Sequence, residues 1–292
     1  MPPATDSTRP APAKGAVLVL VVLLGASAGL TGCSLPGAAS QGALPQAASV
    51  VGHQGPAGLT TSAAATSVIT NPGNGRPEAV IPEIGRTVLL IGDSQSEPAD
   101  GWPRLGLAAA GYNVYFCGRG GTGYVAANGA TGNYIDALQR GDWALPAGTP
   151  ALIVIEGGGN DAANGASDEQ ITRNAGRLIA ELRTRYPGTR MAMIGTLARG
   201  ANDGGGRRSE VDALLGGVAA ANGLPFVSVG DWLTRFGLAK DLADAVHMNS
   251  EGRTTLGGIL GRRLRELGLA RTPAVEQGPL AADSDARGVL QD

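Results

Sequence analysis

Histidine and cysteine are nearly missing from this chain: its 292 residues hold two of each. The histidines are His53 and His247, the cysteines Cys33 and Cys117. So few ligands leave no Cys/His zinc site to assemble, and no metal is expected. Lysine is as scarce, with Lys14 and Lys240 the only two among 23 basic residues, and the net charge is −2. A nucleic-acid binder would show a basic excess on some face, so that class is set aside. The G-x-x-x-x-G-K-[ST] phosphate loop is also absent, and no G-x-S-x-G elbow surrounds Ser94. "GRGGTG" at 118–123 fits a dinucleotide-binding pattern. It follows the second candidate strand, however, and the next strand-ending acid, Glu156, lies further on than the ~20 residues that pattern needs. No cofactor is expected.

What is present begins with a leader. Arg9 and Lys14 precede an apolar run from Ala16 to about Leu24, and small residues follow. A run this short suits a signal peptide better than a spanning helix. Leu30-Thr31-Gly32-Cys33 resembles a bacterial lipobox, which implies lipidation at Cys33 and an exported protein held on the extracytoplasmic face of the cell membrane. With Cys33 so used, Cys117 has no partner for a disulfide. Its setting in "YNVYFC" reads as a buried free thiol.

Residues 34–82 are rich in Ala, Gly, Ser, Thr and Pro with almost no charge, and read as a flexible tether. The tail 272–292 reads as disordered. Between them, 83–271 forms one domain. Short continuous apolar runs at 87–91, 112–117, 151–156, 190–195 and 225–230 have the character of strands buried on both faces of a parallel sheet. Helical patterns separate them. The clearest starts at Ser167 as N-cap, places Ile171, Leu178, Ile179 and Leu182 on one face, and stops at Pro187-Gly188. A last helix spans "SEGRTTLGGILGRRLRELGL". The alternation predicts an α/β doubly wound fold.

Such sheets bind ligands beyond the carboxyl ends of their strands. Four loops there carry polar residues: Gly92-Asp93-Ser94-Gln95-Ser96, Gly118-Arg119-Gly120-Gly121-Thr122-Gly123, Gly157-Gly158-Gly159-Asn160-Asp161 and Asp244-Ala245-Val246-His247. A serine hydroxyl becomes a nucleophile when a base takes its proton, and His247 is the one histidine in the folded part able to do so. Asp244, three residues earlier, has the reach to hold the far ring nitrogen. Asp93 is expected to order its turn rather than react.

In this order the four blocks resemble the SGNH hydrolases, the GDSL esterase/lipase family. The resemblance implies a flavodoxin-like three-layer α/β/α sandwich with a five-stranded parallel sheet in the order 2-1-3-4-5. It implies acyl-ester chemistry with Ser94 as nucleophile and Asp244 and His247 completing a triad. It also implies an oxyanion hole from the Ser94 and Gly121 backbone N–H groups and the Asn160 amide, with Gly118 and Gly120 competing for the glycine's place. The function expected is a serine esterase. An acyltransferase using a sugar acceptor is the alternative, and a non-catalytic envelope-binding module comes third.

The loops after the strands are Gly-rich and polar, which suits short acyl groups on a glycan or other polar carrier better than a long-chain lipid. Arg119 and Arg199 stand where an anionic carrier would be held, and Tyr124 and Tyr134 are expected to offer larger surfaces. Oligomeric state is left open.

Overall fold

The computed structural model describes residues 62–271. The leader with Cys33, His53, the tether up to residue 61 and the tail 272–292 lie outside the described residues. In chain order the elements are β1 (Ser67–Thr70), β2 (Pro77–Val80), β3 (Thr87–Gly92), α1 (Trp102–Ala109), β4 (Asn113–Gly118), α2 (Tyr134–Arg140) and β5 (Leu145–Pro146). There follow β6 (Leu152–Glu156), α3 (Gly159–Ala163), α4 (Asp168–Arg185), β7 (Met191–Ile194), α5 (Gly206–Ala221), β8 (Phe226–Val227), α6 (Trp232–Arg235) and α7 (Ser250–Glu266).

Five strands form one sheet in the order β4-β3-β6-β7-β8, and every pairing in it is parallel. Counting only these strands, this is the expected 2-1-3-4-5. The continuous apolar runs have the cause inferred for them, because both sheet faces are covered. Leu89, Ile91, Ile153, Ile155 and Met193 pack with residues of α2, α4 and α5. Val88, Leu90, Val154 and Ile194 pack on the other face with residues of α1, α6 and α7. Each such side chain taken from water contributes about 1.5–3 kcal/mol, so these strands anchor whatever their carboxyl ends carry.

The helix starts follow capping chemistry. Ser167 Oγ accepts from Gln170 N (3.2 Å) and Gln170 Oε1 accepts from Ser167 N (3.0 Å), a reciprocal capping box at α4. Ile171, Leu178, Ile179 and Leu182 are fully buried. At α7, Asn249 Oδ1 accepts from Gly252 N at 2.9 Å.

Two expectations need correction. Composition predicts a tether as far as residue 82, yet β1 and β2 form an antiparallel hairpin and β2 pairs in parallel with β5, giving a second sheet in the order β1-β2-β5. Its turn, Asn71-Pro72-Gly73-Asn74-Gly75, is a recognisable reversal signal. Val68 and Ile69 of β1 are exposed, so the strands lack the buried pattern that marks the main sheet. Glu78 of β2 pairs with Arg185 of α4, and Ala79 and Ile81 are buried. The second correction is the fifth strand, expected over 225–230 and reduced to Phe226–Val227. Beyond it, Asp212 accepts from Ser228 Oγ and Val229 N, so a side chain takes over from the ladder at this edge.

Candidate active site

The carboxyl end of β3 delivers Ser94. Asp93 shapes the turn, as expected: its carbonyl accepts from Ser96 N (3.0 Å) and Glu97 N (2.9 Å), and Oδ1 accepts from Gln95 N (2.9 Å). The turn closes tightly over β6. A methyl on Gly92 would lie 2.7 Å from Ser96 Oγ and 2.9 Å from Glu156 Oε2, so only glycine fits there.

His247 arrives from a separate loop cinched by a Leu242–Met248 bridge and by Ala243 N donating to His247 O at 2.8 Å. Its Nε2 lies 2.8 Å from Ser94 Oγ and its Nδ1 lies 2.7 Å from Asp244 Oδ2. The other oxygen, Asp244 Oδ1, accepts from Val246 N (2.8 Å) and His247 N (2.7 Å). The backbone N–H groups of Val246 and His247, followed by the imidazole, hold the Asp244 carboxyl well below the usual carboxylate range. Asp244 is therefore a fixed anion that orients the ring. Both side chains stay open to solvent, His247 by 40% and Asp244 by 56%.

The second and third loops close the other side. Residues 119–122 form a turn, with Thr122 N donating to Arg119 O at 3.2 Å and Gly121 at φ +80°. The three glycines left open by the sequence are now distinguished. Gly118 ends β4, beside Gly92. Gly120 N donates to Glu97 Oε2 at 2.9 Å. The Gly121 and Ser94 N–H groups donate to no group among the described residues. Asn160, at the start of α3, gives its amide to Thr122 O (2.9 Å) and Asp93 Oδ2 (3.1 Å). Its donors face the Ser94 turn but are engaged. Asp161 accepts from the backbone N–H groups of Tyr124, Val125 and Ala126, each at 2.8 Å, and so fixes the second loop.

Several contributors escaped the sequence reading. Gln95 Nε2 donates to Val246 O (2.9 Å) while Trp102 Nε1 donates to Gln95 Oε1 (3.0 Å), a strut from the Ser94 turn to the His247 loop. Beneath the turn lie two buried acids, Asp93 and Glu156. Burial pushes Asp93 up to about 6. Burial, then the neighbouring Asp93, raises Glu156 well above the ordinary range; it accepts from Ser96 Oγ at 2.6 Å. The one signal for Glu156 was a charge closing an apolar strand. Cys117 is buried, as expected, and burial raises its thiol.

The two arginines fall apart. Arg119 borders a cavity of about 540 Å³ with Glu97, Asn128, Asp142 and Trp143. Arg199 borders a smaller cleft with Arg208, Leu233 and Val246. Tyr124 and Tyr134 offer no surface: both are buried, with rings 5.4 Å apart and Tyr134 Oη donating to Glu156 O at 2.9 Å. A cavity of about 250 Å³ opens at Ser94, between Pro98, His247, Met248 and Arg253. Among the described residues no group of three His, Cys, Asp or Glu is gathered as metal ligands.

A "GDS" turn, a glycine-rich second loop, a "GGND" third loop and a D-x-x-H loop on one edge of a parallel sheet mark a class of ester hydrolase. Residues 90–254 match the model of the GDSL-like lipase/acylhydrolase family. The match spans more than half of the chain, which belongs to that family and is a carboxylic ester hydrolase. No curated protein sequence matches the chain significantly. Among solved structures it is similar to a carbohydrate acetylesterase from Sinorhizobium meliloti, with 18% identity, 62% of this chain and 99% of that chain covered and a TM-score of 0.48. It is also similar to a family two carbohydrate esterase from Clostridium thermocellum, with 14% identity, coverage of 68% and 69% and a TM-score of 0.49. An aryl esterase from M. smegmatis is a third, with 17% identity, coverage of 62% and 99% and a TM-score of 0.45.

Proposed function

We propose that this protein is a serine esterase that removes short acyl groups from a polar, glycan-type carrier. The observation that carries the reading is the continuous chain Asp244–His247–Ser94, with hydrogen bonds of 2.7 Å and 2.8 Å. His247 Nε2 takes the Ser94 proton as Oγ attacks the ester carbonyl. Asp244, on Nδ1, holds the tautomer that leaves Nε2 free and stabilises the imidazolium that forms. The carbonyl oxygen becomes an anion, and the unoccupied N–H groups of Ser94 and Gly121 are the donors it meets. Asn160 joins them by redirecting the hydrogen it gives Asp93, the longer of its two bonds. His247 then protonates the leaving alcohol, and water, activated by the same imidazole, releases the acid.

Two features support the substrate class. The cavity at Ser94 is small, about 250 Å³, which suits a short acyl group. The larger cavity on the Arg119 side is lined by carboxylates, an amide and one indole, a surface that suits hydroxyl-rich carriers. The solvent exposure of His247 and Asp244 favours water over a sugar as acceptor, since transfer needs water kept out. The leader sequence supports export and lipid anchoring through Cys33, on the extracytoplasmic face.

The test is acyl release from p-nitrophenyl esters of graded chain length by the full chain and its Ser94→Ala variant. Turnover that falls steeply with chain length and is lost in the variant is expected. Undiminished turnover in Ser94→Ala would refute the assignment. A sugar acceptor that diverts most of the acyl group from water would replace hydrolysis with transfer.

A further inference from the structure

The donor that matters most in the second loop belongs to a peptide bond that has two available orientations. Residues 119–122 form a turn whose central residues are both glycine, with positive φ at Gly121 and not at Gly120. That is the type II pattern, and it differs from type I chiefly by reversal of the central peptide, here Gly120–Gly121. With glycine on both sides, side-chain sterics do not oppose the reversal.

Something outside the turn therefore sets the orientation. Asn128 Nδ2 donates to Gly120 O at 2.7 Å. In a planar trans peptide the carbonyl and the N–H point opposite ways. Holding Gly120 O on Asn128 thus directs Gly121 N–H away from Asn128 and leaves it unoccupied. Gly120 is gripped from its other side by Glu97, and it packs on the nucleophile, since a methyl there would lie 3.3 Å from Ser94 Cβ. Asn128 is itself placed by a tight turn, with Asn128 N donating to Thr131 O (3.0 Å), Thr131 N donating to Asn128 O (3.2 Å) and Gly129 at φ +60°.

We propose that Asn128 is a positioning residue for the oxyanion hole: its amide holds the Gly120–Gly121 peptide with the Gly121 N–H presented to the reacting carbonyl oxygen. This rests on the serine esterase reading above. Reversal of the peptide replaces a donor by the Gly120 carbonyl, which repels the developing anion. Asn128 makes no contact with the reacting atoms in this scheme. It acts through the peptide, and so on the transition state more than on substrate binding.

The experiment compares Asn128→Ala, Asn128→Asp and Asn128→Gln with the wild-type full chain. Steady-state kinetics on a short p-nitrophenyl ester are measured beside inhibition by an alkyl boronic acid, thermal melting, and labelling of Ser94 by a fluorophosphonate. Asp has the shape of Asn but, ionised, only accepts, so it separates donation from packing. The expected result is kcat lowered about 10- to 100-fold in Ala and further in Asp, with KM within about threefold. Boronate affinity falls in parallel, and Gln recovers part of the loss. Unchanged kcat in Ala and Asp, or equal losses in all three variants that follow melting temperature, overturns the proposal while leaving the esterase intact. A wild type with neither turnover nor labelling of Ser94 overturns the esterase reading and this one with it.

Discussion

Replacing Asn160 by alanine separates the loop contacts that the structure shows for this side chain from the oxyanion contact proposed for it. In the resting enzyme its amide satisfies Thr122 O and Asp93 Oδ2, and Thr122 and Asp93 are both buried. Removing the amide leaves these acceptors short of a donor, a loss of about 1–3 kcal/mol in stability. For a domain of this size that lowers Tm by about 2–10 °C. The catalytic loss has a separate origin. If the amide turns to the oxyanion in the transition state, its removal costs about 3 kcal/mol of barrier, roughly a hundredfold or more in kcat. KM moves little, because the interaction is made only as charge develops. Steady-state kinetics on p-nitrophenyl acetate, with thermal melting on the same preparations, read both quantities. A lowered Tm with kcat within threefold of wild type would show that Asn160 only ties the loops together, leaving the hole to the backbone donors of Ser94 and Gly121.

Two further outcomes follow from other parts of the chain. Glu156 is raised far above the ordinary carboxylate range by burial and by Asp93, so the folded protein holds a proton that the unfolded chain releases. Stability from this group is complete below the unfolded value, near 4.3, and is lost as pH rises toward the folded value, at up to about 1.4 kcal/mol per pH unit. Glu156→Gln, which imitates the protonated acid, is expected to match wild type near pH 4 in denaturant unfolding and to gain on it at each higher pH; a pH-independent difference would refute this. For the anchor, Cys33→Ser should move the protein from the membrane fraction to the soluble exported fraction, and retention of membrane association would count against lipidation at Cys33.

The five parallel strands and the four loop blocks were legible because each rests on residue type within a short window. A strand covered on both faces must be apolar through its centre, as "VLLI" and "ALIVI" are. Serine, histidine and aspartate in their blocks announce themselves because few other residues can do that chemistry, and with His53 in the stretch read as tether one histidine remained to choose. The hairpin over 67–80 escaped because its strands are short and half exposed, so composition outweighed the Asn-Pro-Gly turn. Tyr124 is buried because its loop folds back into the core, held by Asp161 gathering three backbone N–H groups from 124–126, and Tyr134 because it opens α2 with its ring against Tyr124 and its hydroxyl on Glu156 O.

By itself, then, the sequence determined the apolar strands of the main sheet, the helices α4 and α7, and which side chains could act as nucleophile, base and orienting acid. Only the tertiary structure decided which glycine N–H stands unoccupied, where the Asn160 amide is engaged, and that Gln95, Glu97 and Asn128 support the site. The physical reason is directional. A hydrogen bond is defined by where a donor points, and for a backbone N–H that direction is fixed by side chains that hold the carbonyl of the same peptide, such as Asn128 on Gly120 O or Gln95 on Val246 O, which lie 8 and 151 residues away in the chain.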